Sequence, residues 1–132
     1  MKQLILFPVL LFAGFAAGAQ AQSLETAQYF DYGIRSMEKS QHEKALEYFN
    51  KSLRSAERSQ TSPNFRAKIH YNIGVCLYRL DRFADAVGHY DKAITLSDSS
   101  YPKASYALSA AREKIKVTPQ RNGAARAEAR PR

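Results

Sequence analysis

The chain of 132 residues has no tryptophan and one cysteine, Cys76. A single cysteine excludes a disulfide framework. On an apolar helical face such a thiol reads as a small buried residue rather than a nucleophile, with a link between two chains as the alternative. His42, His70 and His89 show no metal-ligand spacing; His70 is expected to pack at a helix pair and His89 to lie exposed. The glycines never gather into a phosphate-binding loop, and no acid–base pair stands out. Asn50-Lys51-Ser52 fits the glycosylation triplet but falls in mid-helix. These absences point away from an enzyme: no catalytic residue, metal or cofactor is expected.

A long apolar run is also missing. Leu4 to Phe15 is apolar but is broken by Pro8 and Gly14, and a spanning helix wants roughly 20 such residues. Met1 and Lys2 precede this run, and Ala17-Gly18-Ala19 and Ala19-Gln20-Ala21 follow it. That order is the layout of a secretory signal peptide. Residues 1–21 are therefore expected to be a bacterial signal peptide cleaved after Ala21, leaving a periplasmic or secreted protein. Retention as an anchor is the alternative, because extension to Ala19 makes the run marginally long enough.

What is present beyond Gln22 is helical periodicity. A first helix is expected from Leu24 to Glu38, capped by Ser23, with Ala27, Phe30, Ile34 and Met37 as its stripe. A second, His42 to Arg58, has the stripe Ala45, Phe49, Ser52, Leu53 and Ala56. Its opposite face carries Glu47 and Lys51 in the favourable i,i+4 order. Ser62-Pro63 makes a good start for a third helix ending near Arg79, carrying Phe65, Ile69, Ile73, Cys76 and Leu77. A fourth runs from Phe83 to Leu96, and Tyr101 to Lys116 gives a fifth, with Tyr101, Ala104, Leu108, Ala111 and Ile115 on one side. Residues 117–132 hold no large apolar side chain beyond Val117 and read as a disordered basic tail.

The pattern repeats. Gly33, Ala45 and Phe49 recur as Gly74, Ala86 and Tyr90, with the same intervals of twelve and four. Small residues at such places let two helices approach, while the ring fills the space beyond. His70-x2-Ile73-Gly74-x2-Leu77 with Ala86-x3-Tyr90, and Tyr29-x2-Tyr32-Gly33-x2-Ser36 with Ala45-x3-Phe49, resemble the tetratricopeptide repeat family. The resemblance covers about Leu24 to Ser97 and implies an all-α fold. It would be a right-handed superhelical stack of antiparallel helix pairs, with repeats at about 24–58 and 63–97 and a capping helix at 101–116. Gly33 to Gly74 is 41 residues, against a family period of about 34. The extra seven are expected to lengthen the second and third helices rather than to loosen a loop.

The resemblance further implies a non-catalytic adaptor or scaffold that holds a partner peptide or helix in a concave groove. Phe30, Ile34, Met37, Glu38, Lys68, Tyr71, Val75, Tyr78 and Arg79 match the lining places. Phe30 and Ile34 stand where chaperone-binding members hold a carboxylate with Lys and Asn, so an apolar peptide is the implied occupant. Changing Phe30 and Tyr71 together to Asp is expected to abolish capture without loss of helix. With two and a half repeats, pairing with a second copy is open.

Charge gives the other reading. Formal charge is +8, and from Lys116 onward five basic residues face Glu128 alone. Such a tail could attach weakly to acidic lipid or another polyanion. Nucleic acid is disfavoured by the leader and by the lack of aromatics among Arg121, Arg126, Arg130 and Arg132. An accessory subunit of an envelope enzyme or secretion complex is a special case of the adaptor.

Overall fold

The computed structural model describes residues 13–97 and 101–118. Five helices occupy them: α1 (Ala13–Glu38), α2 (His42–Arg58), α3 (Pro63–Arg79), α4 (Phe83–Leu96) and α5 (Pro102–Val117). Among the described residues there is no strand, and no helix is long and apolar enough to cross a membrane. Residues 1–12 of the expected leader, the expected break at 98–100 and the tail from 119 lie outside the described residues.

Two helices differ from expectation. α5 runs from Pro102 to Val117 rather than 101–116, with Tyr101 just before it, so Val117 closes the helix instead of opening the tail. α1 does not begin at Leu24; it continues upstream to Ala13, so Ser23 sits inside the helix rather than capping it. The intervening stretch is rich in Ala and Gln, good helix formers, and holds no proline to stop it.

The other boundaries follow local chemistry. Ser62 accepts a hydrogen bond from the Phe65 N–H through its hydroxyl, and Pro63 occupies the first helical position, where a missing N–H leaves no bond unmade. Three helices end in one way. Ser40, Gln60 and Asp81 adopt left-handed φ of 56°, 50° and 58°. The residue after each donates its N–H back to the carbonyl five places earlier: Gln41 to Ser36, Thr61 to Ala56 and Arg82 to Leu77, at 2.9, 3.0 and 2.8 Å. This is the Schellman cap, with a non-glycine residue at the strained place.

Consecutive helices pack as neighbours, and α5 also touches α3. Within each pair the chains run antiparallel, since Glu25 meets Arg58 while Gly33 meets Phe49. The glycines set the approach. A Cβ on Gly33 would lie 2.5 Å from Cε1 of Phe49, and one on Gly74 would lie 2.6 Å from Cε1 of Tyr90. Around these contacts Ala45, Ile69, Ile73, Cys76 and Ala86 form the core, each at most 1% exposed. α2 and α3 have 17 residues each and α4 has 14, so the extra residues of the long period extend two helices by about a turn.

Three face assignments are corrected. Ala27 is exposed, because Thr26 beside it turns into the α1–α2 seam. Ile115 is 39% exposed, because no described element packs over the last turn of α5. His89 is half-buried rather than exposed, because its ring packs against His70.

Candidate partner-binding face

The residues expected to line a groove fall into register pairs 41 apart: Phe30 with Tyr71, Ile34 with Val75, Met37 with Tyr78, and Glu38 with Arg79. All lie on α1 or α3. The apolar six are half-buried against the core, while Glu38, Lys68 and Arg79 are exposed. Such a row, with one side in the core and the other open, presents apolar edges between charged ends.

Phe30 and Tyr71 do more than line it. The Phe30 ring lies 5.5 Å from Phe49 and 5.2 Å from Phe65, so it touches α2 and α3 at once. Tyr71 repeats the arrangement one unit on, 5.9 Å from Tyr90 and 5.4 Å from Tyr101. Each is a wedge that joins its own pair to the next. This revises the expectation for Phe30→Asp with Tyr71→Asp: a carboxylate at a wedge would destabilise the stack, so loss of capture there could not be assigned to the surface. Ile34 and Val75 are the better probes. The side-chain amide of Asn72 donates to the Lys68 carbonyl at 2.9 Å, within its own helix.

Two features escaped sequence reasoning. Ser52 donates its hydroxyl to the Thr26 carbonyl at 2.8 Å, Thr26 donates to Ser55 at 2.9 Å, and Ser55 donates to the Glu25 carboxylate at 3.1 Å. Arg58 stands 3.5 Å from that carboxylate. This polar relay fills the α1–α2 seam with satisfied groups. In the α3–α4 seam, Nδ1 of His70 lies 3.0 Å from Nδ1 of His89, a contact that holds when one ring donates and the other accepts. Burial pushes the His70 pKa down to about 4, helped by His89, Lys92 and Arg66. His89 is also lowered, by burial and then Lys92. The signal for both was the 41-residue register, which aligns Thr26, Ser52 and Ser55 with Ala67, Ala93 and Leu96, and Tyr29 and Tyr48 with His70 and His89.

Cys76 is fully buried and its thiol is pushed up to about 12 by burial. It is inert as a nucleophile, and a link between two chains through it would require the core to open. No group of three or more metal-binding side chains exists among the described residues.

The class is thus an all-α helical repeat, two stacked helix pairs closed by a fifth helix. The tetratricopeptide repeat family model matches residues 26–99, more than half of the chain, and the chain belongs to that family. No curated protein and no solved structure matches it. Repeats of this family are generally protein–protein interaction modules without catalysis of their own.

Proposed function

We propose that the chain is an exported, non-catalytic adaptor of the cell envelope that holds an apolar peptide or helix of a partner protein on the α1–α3 face. The observation that carries this reading is the register row Phe30/Tyr71, Ile34/Val75 and Met37/Tyr78, half-buried on both first helices and bordered by Lys68 and Arg79. Apolar edges give contact area and the flanking charges give orientation. The leader pattern supports a periplasmic or secreted location.

The test compares tagged full-length chain with Ile34→Gln/Val75→Gln in affinity capture from the native envelope. Circular dichroism confirms that helix content is kept. A protein retained by the parent at high salt and lost from the variant is the expected result; equal retention by both sinks the groove. The charge concentrated from Lys116 onward favours a second reading, polyanion attachment through the tail. Capture that vanishes with salt or with removal of residues 117–132 would support it.

A further inference from the structure

Away from the α1–α3 face, the turn between α1 and α2 borders a concavity of about 230 Å³. Its walls include Arg35 and Lys39 from the end of α1, Lys44 from the start of α2, and the rings of Tyr32 and Tyr48, 5.5 Å apart. No acidic residue lines it. None of the three cations forms an ion pair with a described residue, although Glu47, Glu25, Asp85, Asp91 and Glu113 each hold one elsewhere.

The second repeat has a concavity of about 440 Å³ at the equivalent place, but its lining is chemically different. Forty-one residues on, Tyr32, Arg35, Lys39, Lys44 and Tyr48 become Ile73, Cys76, Leu80, Asp85 and His89. There Ile73 and Cys76 are at most 1% exposed. Leu46 and Asn50 of α2 add to the walls there, and Asp85 pairs with Arg82 at 2.7 Å. In the first repeat no described helix precedes α1, so the walls come from α1, α2 and the turn between them. The first concavity carries cations where the second repeat has Cys76, Leu80 and the acidic Asp85.

We propose that this concavity binds a phosphoryl group, free or carried on a lipid head. Three unpaired cations match a dianion better than a single carboxylate. The Arg35 guanidinium can grip two oxygens in its fork, and the lysines serve as point charges for the third. The Tyr32 and Tyr48 hydroxyls add neutral donors. Ser36 contributes little as a donor, because its hydroxyl is spent on the Tyr32 carbonyl at 2.8 Å.

The experiment uses the full chain, inorganic phosphate as one probe, and phosphatidylcholine vesicles with or without phosphatidic acid as the other, at matched ionic strength. Arg35→Ala/Lys44→Ala is compared with Lys103→Ala/Lys114→Ala, which removes equal charge from exposed places on α5. The basic tail is present in every chain and so cancels. Loss of two charged hydrogen bonds should weaken phosphate binding about tenfold or more in the first variant, with the second unchanged. Binding of phosphate alone, or of acidic vesicles as well, distinguishes a free ligand from a head group, and either supports the site if it depends on Arg35 and Lys44. Equal loss in both variants, loss in neither, or displacement of phosphate by an equal concentration of poly-glutamate overturns the proposal. If the alanine pair lowers helix content, Lys39→Gln alone carries the comparison, with a loss of about threefold or more expected for one charged contact.

Discussion

The two repeats reach one geometry with different interiors. In both, a glycine on the first helix meets a ring on the second, Gly33 with Phe49 and Gly74 with Tyr90, at nearly the same separation. Around that contact everything else diverges. The first seam holds Thr26, Ser52 and Ser55 in a chain of hydrogen bonds ending on Glu25, while the second holds Ala67 and Ala93. Beside the seam, the first repeat sets Lys51 5.5 Å over the Tyr48 ring and 6.0 Å over Tyr29; the second sets His70 against His89 with Lys92 nearby. The comparison separates what defines the helix pair, a close approach at one point, from what can vary once hydrogen bonds are satisfied.

The largest expected break in the comparison comes at the shared point. Gly33→Ala and Gly74→Ala each drive a methyl group into a packed ring. Each should cost about 2–3 kcal/mol despite the better helix propensity of alanine, measured by urea unfolding. Equal penalties would confirm that the contact is common to both repeats. Trimming the ring beside the new methyl, Gly33→Ala/Phe49→Leu, should recover part of the loss.

Acid should sharpen the difference next. His70 and His89 have folded pKa values below the ordinary 6.5, so between 6.5 and about 4 the unfolded chain binds more protons than the folded one. Stability then falls as pH drops through that window and levels off below it. The groups facing the pair, Lys92, Arg66 and Arg82 against Asp85 alone, add to the cost of charging it. His70→Tyr/His89→Tyr, which copies the first repeat, should remove about 1–3 kcal/mol of the acid-dependent loss. A thermal melt of both chains across this window checks it; parallel curves would show that the pair is silent.

The polar relay gives a smaller effect. Ser55→Ala removes both a donor and an acceptor from the first seam and should cost about 1–2 kcal/mol. Ser52→Ala, which loses one bond to a backbone carbonyl, should cost about 1 kcal/mol. Smallest and opposite in sign are the caps. Ser40→Gly and Asp81→Gly relieve left-handed backbone at matching places in the two repeats and should each stabilise by about 0.5–1 kcal/mol in the same unfolding measurement.

Much of this was legible in the chain. The boundaries of α2, α3 and α4, the Ser62 cap, the glycine–ring contacts and the burial of Cys76 follow from periodicity, capping chemistry and repeated intervals, which act over a few residues. The Glu47–Lys51 pair at 2.6 Å is equally local. The candidate face was legible as a set of positions on α1 and α3, but not in its division of labour. Phe30 and Tyr71 bridge to Phe65 and Tyr101, 35 and 30 residues away in sequence, and no local pattern says which apolar residue will be a wedge and which an open edge.

The sequence by itself determined that this chain is a pair of helical repeats with a closing helix, because an amphipathic period of 3.6 and small residues at fixed intervals permit few other packings. Tertiary structure decided which side each ambiguous residue faces. Thr26 displaces Ala27 from the interior because its hydroxyl finds Ser55 across the seam. His89 is drawn inward by His70 on another helix, and the cations near the α1–α2 turn stand open because no described helix covers them. Such outcomes depend on partners brought together only by folding, where an unmet polar group costs more than an exposed methyl.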